Sequence, residues 1–220
     1  EGQGDVSYNF GTLTVGSLNT STVFSGNFNG AGLTKVGLGS FTTYGTVTTD
    51  VLSIEGGSVM LGLSDLISDF AAVQIVPGGR FELNNNDETI ASISGGGTLQ
   101  MGNTLPNTLT VGDFADYTFS GSVAGVDSSD SIVKVGAGTL TLSGANSYAG
   151  GTTVQEGSLQ VLNNYGSAIT VTPGATLSGT AMVSGIASEG SINPGTTAGV
   201  GTITVMNNVT LGSGELRINI

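Results

Sequence analysis

A long internal repeat constrains the fold more than any other feature of the sequence. The segment Thr12-Leu-Thr-Val-Gly16 returns as Thr108-Leu-Thr-Val-Gly112 and again as Thr202-Ile-Thr-Val205, at offsets of 96 and 94 residues. Between these anchors the landmarks keep their order, so Lys35-Val-Gly-Leu-Gly-Ser40 is matched by Lys134-Val-Gly-Ala-Gly-Thr139. Such self-similarity is typical of repeat architectures. We predict that the whole chain is a single segment of a longer protein, with three repeat units at approximately 12–107, 108–201 and, as a partial copy, 202–220.

Short strands fill each repeat unit. Apolar residues alternate with polar ones, as in Leu13/Val15 and Leu140/Leu142, and these runs recur about every 8 to 12 residues with Gly, Asn, Ser or Pro between them. The pattern alone fits a sandwich, a barrel or a solenoid. The repeat offset, however, drifts between about 93 and 100 residues while the strands stay in step. Because each coil of a solenoid contacts only its neighbours, its loops can change length freely.

We therefore predict an all-β fold, a right-handed parallel β-helix with about three strands in each coil of roughly 20 to 30 residues. One segment departs from the alternation. Between Leu63 and Val73 the apolar residues follow helical spacing, which predicts a short helical insertion near 64–72, capped by Ser64.

The composition excludes several classes of function. The chain has no His and no Cys, which excludes His/Cys metal sites, thiol nucleophiles, Ser-His-Asp relays and disulfides. The chain has 4 Lys and Arg residues against 16 Asp and Glu residues, which gives a net charge of -12. We therefore expect neither nucleic-acid binding nor insertion into a membrane. The 38 Gly residues are assigned to the sharp corners of the coils. No cofactor is expected.

Acidic residues offer the main candidate chemistry. Asp113 and Asp116 precede the strand Tyr117-Thr-Phe119, and Asp127 and Asp130 follow it. Their oxygens are weak candidates for a calcium site, and paired carboxylates also serve in polysaccharide-degrading enzymes. Neither common calcium-binding loop motif is present and all four residues lie in turn-like segments. We favour solvated loops, and predict no catalytic residue and no resident metal.

Two lysines occupy equivalent repeat positions. Lys35 and Lys134 each precede a Val-Gly-x-Gly sequence. A receptor contact is one interpretation of this placement. We favour the other, in which the lysine stem covers apolar surface beside a tight turn.

Residues 134–161 contain Gly-x-Gly-Thr-Leu-Thr-Leu, then Gly-x-Asn-x-Tyr-x-Gly-Gly-Thr-x-Val, then Gly-x-Leu-x-Val. In this order the three parts resemble the passenger-associated repeat of bacterial autotransporters. Residues 35–61 resemble a degraded copy that lacks the Asn-x-Tyr-x-Gly-Gly part. The residues that carry the motif are Gly136, Gly138, Thr139, Leu140, Leu142, Gly144, Asn146, Tyr148, Gly150, Gly151, Val154, Gly157, Leu159 and Val161.

The resemblance implies a non-catalytic, surface-exposed stalk or adhesin scaffold that also aids secretion and folding at the outer membrane. It implies export through the periplasm to the bacterial surface or medium, with the protein's own C-terminal outer-membrane β-barrel as partner outside this chain. A host-cell or self-association partner is expected, of undetermined identity. The alternatives are a passenger segment of a vacuolating cytotoxin and a polysaccharide-degrading β-helix enzyme.

Overall fold

A computed structural model shows the chain as a parallel β-solenoid of about ten coils. The structure describes residues 2–9, 11–102, 104–125, 128–196 and 199–217. Within these ranges every regular element is a β-strand and no helix is present. It follows that no helix of the described residues is long and apolar enough to cross a membrane. The predicted all-β solenoid is confirmed.

The coils have three faces, each a stack of strands from successive coils. The first face contains β2 (Thr12–Val15), β5 (Gly32–Lys35), β8 (Val51–Ile54), β10 (Ala72–Ile75), β13 (Ser92–Ser94), β16 (Tyr117–Phe119), β19 (Thr139–Leu142), β21 (Ser158–Val161), β23 (Thr176–Gly179), β25 (Ser191–Thr196) and β29 (Glu215–Leu216). The second face contains β3 (Thr22–Phe24), β6 (Ser40–Thr43), β9 (Gly57–Leu61), β11 (Gly79–Glu82), β14 (Thr98–Gln100), β17 (Ser122–Ala124) and, near the end of the chain, β27 (Thr204–Val205).

The third face contains β1 (Val6–Ser7), β4 (Phe28–Asn29), β7 (Val47–Thr48), β12 (Glu88–Ile90), β15 (Thr108–Val111), β18 (Ser131–Lys134), β20 (Thr152–Val154) and β28 (Val209–Leu211). The longer strands β22 (Tyr165–Val171) and β24 (Met182–Ser188) begin on the second face and turn the corner onto the third. A short strand, β26 (Gly199–Val200), pairs antiparallel with β25.

The alternation of apolar and polar residues determines which side chains point inward. On the first face Leu33, Leu52, Val73 and Ile93 stack in register, one from each successive coil, and are buried. Burying such side chains contributes roughly 2 kcal/mol each. Paired residues in neighbouring coils lie from 15 positions apart, as for Leu177 and Ile192, to 24 positions apart. The coils therefore tend to be shorter than predicted.

The repeated segments do not return to the same face. Thr12–Val15 lies on the first face, Thr108–Val111 on the third and Thr204–Val205 on the second. Each step along the repeat thus spans four coils and two further faces. Every face has the same alternation of inward and outward side chains and the same glycine-rich corners. The same repeated sequence can therefore form a strand on any of the three faces.

The helical insertion predicted near 64–72 is wrong. Asp65 has φ of +53°, a left-handed conformation that interrupts a right-handed helix. The backbone N–H groups of Leu66 and Ile67 donate to the Glu88 carboxylate instead of to helical carbonyls. Ser64 caps no helix, and its hydroxyl accepts the N–H of Asp87 from the next coil. The helical spacing arises because an irregular loop sends Leu66 and Ile67 into the core.

Candidate functional site

The apolar residues of the predicted motif form two neighbouring coils of the core. Leu140 and Leu142 on β19 pair in register with Leu159 and Val161 on β21, and all four are buried together with Val154 on β20. Their inward direction follows from the period-two pattern, in which every second side chain faces the same side. The outward residue Thr139 is half-buried at the start of β19.

The motif glycines lie where the backbones of two coils almost touch. A Cβ atom built on Gly144 would lie 1.7 Å from the Gly121 carbonyl oxygen, and one on Gly150 would lie 1.5 Å from that of Asp130. At Gly138 the distance to the Ala115 carbonyl oxygen would be 1.8 Å. No side chain fits at such distances.

Two further motif glycines are explained by their backbone conformation. Gly136 and Gly157 adopt φ of +71° and +62°, which L side chains rarely take. Gly151 differs from all of these, since the nearest atom to a Cβ there would be 3.7 Å away.

A cluster of buried hydroxyls occupies the coil interior beside the glycines. Tyr148, Thr152 and Tyr165 share hydrogen bonds, with 2.6 Å between Thr152 Oγ1 and the Tyr165 oxygen. The two rings pack edge to face with centroids 5.7 Å apart. Burial raises the pKa of Tyr148 and raises that of Tyr165 to about 12. Both phenols therefore stay neutral, and the cluster serves packing rather than proton transfer at physiological pH.

Asn146 takes the place of a strand on the second face. Its backbone bridges Val123 in the preceding coil and Tyr165 in the following one. Its side-chain Nδ2 donates to the Gly144 carbonyl at 3.1 Å. The Asn-x-Tyr part of the motif thus continues the stack through a coil that has no regular strand on this face.

Both equivalent lysines are buried ammonium groups that hold a corner together. Lys134 Nζ donates to the carbonyls of Val135, Gly136 and Glu156 at 2.7, 2.8 and 3.2 Å. Lys35 Nζ makes the corresponding bonds to Val36, Gly37 and Gly56 at 2.7, 3.1 and 3.1 Å. Burial lowers the pKa of both ammonium groups. The predicted location beside a tight turn is correct, but the ammonium itself is enclosed, which makes a receptor contact inaccessible.

Asp113 and Asp116 share the turn between β15 and β16, and Asp130 lies in a later one. Asp113 accepts the Ala115 N–H at 2.7 Å and the Tyr117 hydroxyl at 2.6 Å. Asp116 accepts the Thr139 N–H of the next coil at 2.7 Å. Asp130 is buried, and Asp127 lies outside the described residues. Over the described ranges, no three acidic side chains gather in a way that could hold a metal ion.

Glu88 is a buried carboxylate with a raised pKa, and its burial does not follow from the local sequence pattern. Its side chain is 1% exposed and accepts N–H groups from Leu66, Ile67 and Thr89 at 3.0, 3.3 and 3.2 Å. Burial raises its pKa, the three N–H bonds oppose the rise and the nearby charge of Asp65 adds to it, so that the net pKa is about 7. The irregular coil has no regular strand on the third face, where β12 begins at Glu88 in the next coil. The Glu88 carboxylate instead accepts the backbone N–H groups of the irregular coil.

Known proteins resemble the part of the chain that carries the motif. Residues 132–161 match a family described as Passenger-associated-transport-repeat. A curated relative, the adhesin BmaC autotransporter of Brucella suis biovar 1 (strain 1330), is 44% identical over 89 residues. Residues 132–161 are thus a passenger-associated repeat, and the matched part of the chain is similar to an autotransporter adhesin. The matched region covers 38% of this chain and about 2% of the length of that relative, and no solved structure matches.

These similarities confirm the resemblance seen in residues 134–161. They also support export through the periplasm to the bacterial surface or secretion, as the resemblance implied. The matched residues 132–161 contain the buried leucines, the contact glycines and two members of the hydroxyl cluster, Tyr148 and Thr152. What defines the repeat in this chain is therefore the packing of one coil on the next.

Proposed function

We propose that this passenger segment is a rigid, non-catalytic stalk that forms or presents an adhesive surface. The observation that carries the proposal is the parallel pairing that joins successive coils from Val6 to Leu216, with the passenger repeat inside it. A continuous ladder of backbone hydrogen bonds resists bending, which suits a projection from the cell. The name of the Brucella relative, an adhesin, supports the adhesive role.

The acidic turns support a non-catalytic role. The carboxylates of Asp113 and Asp116 accept hydrogen bonds from backbone N–H groups and, at Asp113, from a tyrosine hydroxyl. A glycosidase pair instead needs two carboxyl groups facing one bond across about 5 to 10 Å, one of them protonated. Glu88 holds a proton near neutral pH but is enclosed in the core.

Coil-by-coil stacking supports a second role in secretion. Each new coil pairs in parallel with the one before it, so a folded coil outside the cell can template the next. Folding then draws the chain outward. We propose that the full-length protein supplies a C-terminal outer-membrane β-barrel as the partner for this step.

We further propose that the chain is one segment of a longer passenger, built from units at approximately 12–107, 108–201 and 202–220. The two lysine corners support this division, because Lys35 and Lys134 make the same three carbonyl contacts one unit apart. Their corners also share a glycine with φ of +72° at Gly37 and +71° at Gly136. Duplication of an ancestral unit accounts for both.

Adhesion can be tested by displaying the chain on a non-adherent bacterium through a heterologous outer-membrane barrel. Bacteria that carry it should bind epithelial monolayers in larger numbers than bacteria that carry the barrel alone. Equal numbers would refute the adhesive role. Release of reducing sugars from polysaccharides by the purified chain would favour the enzyme, and leakage from liposomes would favour the cytotoxin.

A further inference from the structure

We infer that a groove on the third face, at the irregular coil, binds a neutral sugar chain. The inference rests on the adhesive function proposed above and names the ligand class of that surface. The groove has a volume of about 430 Å³ and runs along the outer side of the first four coils. Its floor is a ladder in which Asn29 and Thr48 pair in register, followed by Ser68 in the irregular coil.

An aromatic ring lies at each end of the groove. At one end the Tyr8 ring packs on the backbone of Gly30, where a Cβ would lie 2.6 Å from the ring. At the other end Phe70 is 86% exposed, because the irregular loop buries Ala71 and turns the ring outward. Transferring the exposed phenyl ring from water onto an apolar contact surface is favourable. Phe70 is therefore a candidate for contact with a ligand.

Three exposed polar side chains of the groove have no hydrogen-bond partner within the described part of the chain. Asn29, Thr48 and Asp50 are exposed, and their side chains make no hydrogen bond to any part of the chain that the structure describes. Ladders elsewhere on the rod pair internally, as Thr98 does with Ser122. An amide, a hydroxyl and a carboxylate together supply both donors and acceptors. These groups are free to bind hydroxyls of a ligand.

The shape and charge of the groove favour a neutral sugar over other occupants. A pyranose ring has an apolar C–H face that packs on an aromatic ring and an edge of hydroxyls that bonds to amides and carboxylates. Three coil spacings of about 4.8 Å give a length of roughly 14 Å, enough for a short oligosaccharide. None of the chain's four Lys and Arg residues lines the groove, whereas Asp50 does. An anionic sugar would be repelled.

The chain offers a matched control for the test. Phe114 is 91% exposed on a loop between β15 and β16, away from the groove. Phe70→Ala and Phe114→Ala therefore remove the same exposed side chain, and neither removes core packing. Asn29→Ala tests the polar floor separately. Melting curves of all three variants should match that of the unaltered chain, which shows that any loss of binding is local.

Binding is measured with the purified 220-residue chain on an array of mannose-, galactose- and N-acetylglucosamine-terminated oligosaccharides, with sialylated oligosaccharides and heparin as anionic probes. We expect signals on neutral probes only, with Phe70→Ala and Asn29→Ala each weakening them by about tenfold or more and Phe114→Ala leaving them unchanged. Binding to anionic probes alone, or equal loss in both phenylalanine variants, would overturn the inference.

The adhesion assay separates this inference from the proposed function. If displayed chains adhere and Phe70→Ala adheres equally well, the groove is not the adhesive surface although the adhesive role stands. If adhesion depends on Phe70 but is not inhibited by the neutral oligosaccharides that bind on the array, the ligand is a protein and the inference fails. If the unaltered chain binds neutral sugars but displays no adhesion, the proposed function fails instead.

Discussion

Replacing Glu88 by Gln should remove a pH dependence from the stability of the solenoid. The side chain is enclosed and has a pKa of about 7 in the folded chain, against an ordinary value of 4.5. The folded chain thus holds this proton more tightly than the unfolded chain does. The stability contributed by proton uptake at Glu88 is complete below pH 4.5 and is lost as the pH rises through 7.

The size of the effect follows from the shift in pKa. Each pKa unit corresponds to about 1.4 kcal/mol, so a rise from 4.5 to about 7 corresponds to roughly 3 kcal/mol of stability lost between acidic and alkaline pH. Gln has nearly the same shape and no proton to lose. Its oxygen can still accept the N–H groups of Leu66 and Ile67, which are 3.0 and 3.3 Å from the carboxylate.

The assay is urea unfolding followed by circular dichroism at pH 5 and pH 8.5, for the unaltered chain and Glu88→Gln. The other 15 acidic residues titrate in both proteins, so their effects cancel in the difference between the two. Because the unfolded glutamate is already mostly ionised at pH 5, we expect Glu88→Gln to gain about 2.5 kcal/mol relative to the unaltered chain between the two pH values. If the two pH profiles run parallel within error, Glu88 is not a buried, proton-holding group and the account of the irregular coil fails.

Three further predictions concern the motif and the acidic turns. Gly150→Ala should cost several kcal/mol because its Cβ would lie 1.5 Å from the Asp130 carbonyl oxygen of the preceding coil, while Gly151→Ala, with 3.7 Å of clearance, should leave the melting temperature nearly unchanged. Leu140→Asp should cost about 4 kcal/mol or more by burying a charge, whereas Thr141→Asp on the outer side should cost less than about 1 kcal/mol. EDTA should leave the melting temperature unchanged, since Asp113 and Asp116 are engaged in turns.

Each of these predictions has an outcome that contradicts it. Equal melting of the Gly150 and Gly151 variants would mean that the coils do not approach each other at Gly150. A mild effect of Leu140→Asp would show that β19 turns the opposite face to the core. A drop in melting temperature with EDTA, reversed by added calcium, would restore the acidic residues as a calcium site.

Period-two patterning was sufficient to predict the strands and the inward residues. Leu140, Leu142, Leu159 and Val161 face the core as their alternation predicts. The same reasoning failed in the irregular coil. There the apolar spacing matched a helix, but Asp65 in a left-handed conformation and the long-range acceptor Glu88 determine the backbone. A residue 22 positions away cannot be read from a local pattern.

The sequence by itself determined the repeat, the solenoid and the glycine corners, because these depend on local alternation and on the absence of a Cβ. Only the tertiary structure decided that Lys134 and Glu88 are buried, since such residues are usually exposed and their partners come from other coils. It also decided that successive repeats lie on different faces and that Phe70 borders a groove. The physical reason is that the number of residues in each coil fixes which side chains become neighbours, and loop lengths vary that number from coil to coil.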